Sequence, residues 1–250
     1  MRNRTLVWKL AAVLAATLVV GACGGEPQAR SITLTFVRNA QSQADADGII
    51  ETGVPGPGLS ADGKTQAQAL VHQIVHKDID SIYSSDLAEA QQTAAPLASE
   101  LSKQVEVLPG LGSIPAGWYN GKPESMAYST YMVAPVHWIQ GDVNDSIPGS
   151  TNGRDFNEHF TAAIKKIYES GHNKPVVFSQ GTAIMVWTMM NVKNPKTSLV
   201  VPDQPKDPDQ VAPQRPGSHP LPNVGRVVIT GNPTNGWTLV DWDGIKDFNS

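Results

Sequence analysis

The chain has 250 residues, 40% hydrophobic and 17% charged, with 22 Gly and 19 Pro, a balance that supports a full core in one or two domains and excludes wholesale disorder, collagen and coiled coil. Its 19 basic and 23 acidic side chains leave a formal charge of −4, and no Lys/Arg run tracks a phosphodiester backbone, so no nucleic-acid partner is expected. A lone cysteine closes no intramolecular disulfide and builds no Cys-rich metal site; neither a metal nor a cofactor is expected.

In chain order, Arg2, Arg4 and Lys9 precede an uncharged stretch from Leu10 to Val20 that runs into Val20-Gly21-Ala22-Cys23. Eleven uncharged residues are too few to span a bilayer as a helix, which takes about 20. The pattern resembles a bacterial lipoprotein signal with its lipobox. That resemblance implies a signal peptide over 1–22, acylation of Cys23, and a domain held on the extracytoplasmic face of the cell membrane by its lipid. A buried cysteine in an ordinary N-terminal helix is the alternative. Residues 23–30, opening Cys23-Gly24-Gly25-Glu26-Pro27, read as a flexible tether. Removing residues 1–22 takes away Arg2, Arg4 and Lys9 and no acid, which moves the formal charge from −4 to −7. Anionic headgroups would repel such a domain, leaving the acyl chains to hold it.

From Ser31 to Val37 polar and apolar residues alternate and β-branched types abound, which predicts a strand ending at Arg38. A Gly/Pro-rich loop follows. Ser60 is a candidate N-cap for a helix to about Lys77, with Ala67, Leu70, Val71, Ile74 and Val75 on one face. Ser81–Tyr83 reads as a strand, Asp86 as the cap of a helix to about Leu101, and Gln104–Val107 as a third strand. Such alternation indicates an α/β layered domain. The aromatic, Gly- and Pro-rich stretch 109–149 reads as an inserted cap. Helical spacing returns over Phe156–Ser170, Pro175–Phe178 reads as a strand, and Thr182–Val192 as an apolar helix. Seven prolines within 201–223 predict an exposed, irregular loop. Arg226–Thr230 and Trp237–Val240 then form a terminal hairpin.

Several strand ends carry a shared pattern. Phe36-Val37-Arg38-Asn39-Ala40-Gln41-Ser42, Leu59-Ser60-Ala61-Asp62-Gly63, Gln66-Ala67, Tyr83-Ser84-Ser85-Asp86-Leu87 with Gln92-Thr93-Ala94, Leu111 with Gly117-Trp118-Tyr119-Asn120-Gly121, and Val176-Val177-Phe178-Ser179-Gln180-Gly181 together resemble the histidine phosphatase, or phosphoglycerate-mutase-like, superfamily. The resemblance runs from about Ile32 to the C-terminal hairpin. Within the superfamily the chain looks closest to actinobacterial lipoproteins of the LpqD type. It implies a single domain over 31–250, a three-layer α/β/α sandwich with a mostly parallel central sheet and an inserted cap.

The family's reaction uses a neutral histidine that attacks phosphorus, two arginines and a second histidine that hold the phosphoryl oxygens, and a cap acid that protonates the leaving oxygen. By the resemblance, the nucleophile position holds Asn39, whose amide lone pair is delocalised. The second arginine is replaced by Glu89, the cap acid by Ser113 and the second histidine by Gln180, so Arg38 alone is kept. At an effective dielectric of about 20 and about 4 Å, each unit charge pair is worth roughly 4 kcal/mol, so exchanging Arg for Glu removes several kcal/mol of dianion binding. This departure implies a binding or scaffold module rather than an enzyme; a hydrolase of a phosphorylated envelope metabolite with substituted chemistry is the alternative.

Two readings of the altered positions stay open. Asn39 and Gln180 can keep a polar cleft satisfied while Glu89 pairs with Arg38, or the side chains of Arg38, Asn39, Ser42, Ser84, Ser113 and Gln180 can bind a small, neutral, sugar-like ligand. His72 and His76 have metal-capable spacing on one helix but no third ligand. His137, His159 and His172 read as isolated and solvent-exposed, and His219 as a replacement nucleophile for the hydrolase. Trp118, Tyr119, Tyr128, Tyr131 and Trp138 form either a small cap core or a stacking surface over the cleft mouth.

Overall fold

The structure, a computed structural model, describes residues 29–74, 78–193 and 221–243. The expected signal peptide over 1–22, Cys23, the expected tether as far as residue 28, Val75, His76, and the Pro-rich stretch through residue 220 with His219 lie outside the described residues.

The strands are β1 (Ile32–Arg38), β2 (Ser81–Ser84), β3 (Val105–Val107), β4 (Pro175–Ser179), β5 (Val192–Lys193), β6 (Arg226–Asn232) and β7 (Gly236–Trp242). They form one sheet in the order β3-β2-β4-β1-β6-β7-β5. The stretch β3-β2-β4-β1 is parallel, whereas β6 pairs antiparallel with both β1 and β7. The sheet is therefore mixed, with its parallel half where the predicted strand–helix alternation lies.

Side-chain alternation along the strands divides the core. Val37, Ile82, Val176 and Phe178 face one layer with Leu70, Val71 and Ile74 of α2 (Ala61–Ile74) and Ala90, Ala94 and Leu97 of α3 (Ala88–Glu100). Leu34, Phe36, Tyr83 and Val177 face the other, against α5 (Gly153–Glu169) and α6 (Gly181–Asn191). A sheet covered on both faces gives near-continuous apolar strands, and β4 is buried throughout. This is the α/β/α sandwich.

Several boundaries differ from expectation for identifiable reasons. A five-residue helix, α1 (Gln43–Asp47), interrupts the loop after β1, because Ser42 and Asp45 form a reciprocal capping box. Helix α3 starts at Ala88 with Leu87 as N-cap and no side-chain cap, so Asp86 does not cap it. Helix α5 begins at Gly153, earlier than the apolar spacing indicated, because the Asn152 side chain accepts the Asp155 N–H. Ser60 does cap α2: its Oγ accepts the Gly63 N–H at 3.0 Å.

Segment 109–149 holds short 3₁₀ turns and α4 (Val133–Ile139). Its Leu111, Ile114, Tyr131, Trp138 and Ile147 join the α5/α6 core cluster, and the Tyr131 hydroxyl donates to Ile114 O at 2.8 Å. Trp118 stays 74% exposed. The aromatic residues thus divide between core and surface.

Candidate functional site

In a parallel α/β sheet, ligands bind beyond the carboxyl ends of the strands. The register places Arg38 of β1 beside Ser179 of β4, and Ser84 of β2 beside Phe178, so the residues that follow each strand converge at that end. Asn39 N–H donates to Ser179 O at 2.9 Å. One residue on, Gln180 Nε2 donates to Ser85 Oγ at 3.2 Å and to Glu89 Oε1 at 3.4 Å. Thr93 locks α3 to β1: its hydroxyl donates to Glu89 O at 2.6 Å and accepts from Ala40 N–H at 3.0 Å. Positions 39, 89 and 180 are therefore brought together. Ser113 is half-buried and makes no hydrogen bond to them, while its neighbour Gly112 packs near Asp86, where a Cβ would lie 3.3 Å from a carboxylate oxygen.

Two proposed ligand contacts are committed elsewhere. Ser84 is fully buried and donates to Ser85 O at 3.0 Å, while Ser42 Oγ accepts the Asp45 N–H at 2.9 Å. Asn39 is also buried, and its Nδ2 donates to Ala40 O at 2.9 Å.

The ion pair between Arg38 and Glu89, one of the two open readings, is not formed. Arg38 Nη1 donates to Leu221 O at 2.8 Å and Nη2 lies 3.8 Å from Asp45 Oδ2. The capping box fixes this outcome by aiming the Asp45 carboxylate back at the end of β1. Glu89 is 3% exposed, and burial pushes its carboxyl up from 4.5 to about 7, with Asp45 and Glu51 adding repulsion. Among the described residues the acid beside Arg38 is thus Asp45, and burial holds the Glu89 carboxyl well above the usual carboxylate range. Burial and Asp45 also raise Glu124, against a lowering by Arg38.

Sequence reasoning missed Ser85, Asp45 and Glu51 as members of this cluster. The Ser-x-x-Asp spacing of residues 42–45 was the readable signal for Asp45. Glu51, whose charge acts on Glu89, is held by Asn120, whose Nδ2 donates to Glu51 Oε1 at 2.9 Å while its Oδ1 accepts from Thr52 N–H at 2.8 Å.

The described histidines lie elsewhere. His72 is exposed on α2. His137, expected to be isolated, pairs through Nδ1 with Asp145 Oδ2 at 2.7 Å, and His172 lies 4.0 Å from Asp80. Among the described residues no group of three His, Cys, Asp or Glu side chains is placed to hold a metal. A cavity of about 100 Å³ near Thr33, Lys174 and Val176 and a groove of about 530 Å³ along β2 and β3 include none of the candidate residues.

The sequence profile of the histidine phosphatase superfamily (branch 1) matches residues 34–198. The PE-PGRS family protein PE_PGRS11 of Mycobacterium tuberculosis is 42% identical over 238 residues, which is 89% of this chain but 38% of that protein, so the chain spans well under half of this relative. Adenosylcobalamin/alpha-ribazole phosphatase of Escherichia coli is 34% identical over 158 residues, 59% of this chain and 73% of the relative. Among solved structures, mycobacterial glucosyl-3-phosphoglycerate phosphatase complexed with VO3 aligns with a TM-score of 0.64 at 18% identity, covering 86% of this chain and all of that one, a likeness of fold. The profile match, which begins within β1 and extends past α6, establishes that the chain belongs to the histidine phosphatase superfamily.

Proposed function

We propose that this protein is a lipid-anchored cell-envelope member of the superfamily, similar to LpqD-type lipoproteins, whose phosphoryl-transfer site has become a non-catalytic binding or scaffold module. One observation carries this reading: where the family's reaction gathers imidazoles and guanidinium groups, the Gln180 amide instead donates to a buried Glu89 carboxyl beside Asn39. An amide nitrogen cannot form a phosphoenzyme, and a carboxyl in the second arginine's place repels a phosphate dianion instead of holding it. The lipobox at Cys23 supports the anchor and the extracytoplasmic location.

The test is hydrolysis of an aryl phosphate by the full chain in mild detergent, from acid to neutral pH. The expected rate equals that of the Arg38→Ala variant. Turnover that disappears in Arg38→Ala would overturn the proposal. A second reading, hydrolysis by substituted chemistry, draws on the elevated Glu89 carboxyl, since a buried acid titrating near neutrality suits general acid–base work. It requires turnover that titrates near pH 7 and is lost in Glu89→Gln.

A further inference from the structure

Glu89 is almost fully buried, yet what covers it is thin. The cover is the loop between α1 and α2. Residue 56 is glycine with φ +79°, and a Cβ there would stand 2.5 Å from Glu89 Oε2 and 3.4 Å from a Leu87 methyl, so bare backbone closes directly on the carboxyl. Next to it in the loop, Gly53, Val54 and Pro55 are exposed, Val54 by 63%.

The loop is fastened at both ends and hardly in between. At its start, Glu51 Oε1 accepts from Asn120 Nδ2 at 2.9 Å and from Gly53 N–H at 2.7 Å, and Thr52 Oγ1 accepts from Ala116 N–H at 2.9 Å. At its end, Gly58 O accepts from Gln43 N–H at 2.9 Å and Leu59 N–H donates to Gln92 Oε1 at 2.8 Å. Among the described residues, one hydrogen bond ties 54–57 to the rest of the domain: Pro55 O accepts the Ala88 N–H, the first of α3, which has no partner within its helix. Gly56 and Gly58, both at positive φ, give this middle its backbone freedom.

Beneath the cover the carboxyl is poorly provided for. Glu89 Oε2 and Gln180 Oε1 are buried without a hydrogen-bond partner, and Gln180 Nε2 reaches Glu89 Oε1 only at 3.4 Å. The charged groups that act on Glu89 are both acids, Asp45 on α1 and Glu51 at the base of the loop. Arg38 at the end of β1 is engaged by Leu221 O and Asp45, Glu124 in the cap responds to Asp45 and Arg38, and Ser85 and Gln180 bring neutral groups. A neutral carboxyl tolerates this enclosure. An anion there lacks both a cation and enough donors, which makes its burial costly, and the nearest relief is water beyond Gly56.

We propose that residues 53–57 form a proton-operated cover, closed over a protonated Glu89 and lifted when that carboxyl ionises, so that water reaches Glu89 Oε2 and Gln180 Oε1. The sign follows from linkage. The enclosed carboxyl holds its proton up to about pH 7 against 4.5 in solvent, so the closed form loses ground as pH rises from about 4.5, and the shift is complete above about 7. Glu51 lies at the hinge, and ionising Glu89 therefore adds repulsion across it. The device does not depend on whether the site turns over a substrate.

The experiment is amide hydrogen exchange of the full chain in mild detergent at pH 5 and pH 8, each rate divided by the intrinsic rate at that pH. The Ala88 amide reports the cover, and core amides of β1 and β4 report opening of the whole domain. Ala88 is expected to lose protection about tenfold or more at pH 8 while staying less protected than the core amides. In Glu89→Gln, which keeps shape and removes the charge, its protection should be the same at both pH values, with circular dichroism reporting that the variant is folded. Wild-type protection that does not change with pH, or an equal loss in Glu89→Gln, overturns the proposal. So does Ala88 exchanging in step with the core amides at pH 8, because the loop would then open only with the whole domain.

Discussion

Glu89 couples the candidate site to the stability of the domain. Its carboxyl titrates at 4.5 when solvated and at about 7 in the fold, so between those values the folded chain holds more protons than the unfolded one. Stability then falls as pH rises through this window, and the loss is complete above about pH 7. A difference of this size amounts to roughly 3 kcal/mol. Glu89→Gln should therefore be more stable than wild type by up to about 3 kcal/mol near pH 8 and indistinguishable near pH 4, as read from urea unfolding at the two pH values. An equal midpoint difference at both would mean that the carboxyl is solvated. Sequence reasoning selected the residues that meet here, Arg38, Asn39, Glu89 and Gln180, but not their pairings. Which acid faces Arg38 depends on α1, a helix of five residues that is too short to leave a periodic pattern.

Helix α2 shows how an element is held in place at the level of single atoms. A Cβ added at Gly63 would come 2.0 Å from the Gln41 carbonyl oxygen, so the helix rests directly on the segment that follows β1. The two are tied further by Ser60 Oγ donating to Gln41 Oε1 at 2.7 Å and by Gln41 N–H donating to Gln66 Oε1 at 2.9 Å. Gly63→Ala must push this contact apart, and overpacking of this kind costs about 1–3 kcal/mol. The expected result is a lower midpoint in urea with an unchanged slope; a variant as stable as wild type would show that the helix shifts freely. At this scale the sequence was most legible where periodicity was long: β1, β4, the terminal hairpin and the bodies of α2, α3 and α6 stand close to their predicted positions. Ends were less legible, because caps such as Asn152 and the uncapped start at Leu87 are settled by local hydrogen bonds.

For the whole molecule, the alternation of strands and helices was enough to indicate a layered α/β domain, but not the strand order. β1 lies between β4 and β6, partners far away in sequence, and such pairings leave no local signature. The resemblance in the strand-end motifs supplied what periodicity could not. The same architecture sets how the proposed anchor would orient the chain. Near its start, Arg30 donates to His172 O and lies 4.4 Å from the ring centre of Tyr168, whose hydroxyl donates to Arg30 O at 3.1 Å. These bonds secure it to the turn that leads into β4, at the foot of the parallel strands. Arg38 and Gln180 stand at their head, one strand of seven residues away, or about 23 Å. Cys23 is seven residues before Arg30, a reach of at most about 25 Å when fully extended. The acyl chain proposed for Cys23 would then hold the domain nearest the foot of the strands, with Arg38 and Gln180 turned away from the bilayer. A dye at position 173 should be quenched by nitroxide lipids more strongly than one at position 120, and Cys23→Ser should abolish both signals by releasing the chain. Equal quenching at 173 and 120 would mean that the domain lies on its side, and the ligand would then have to be sought among the lipids themselves.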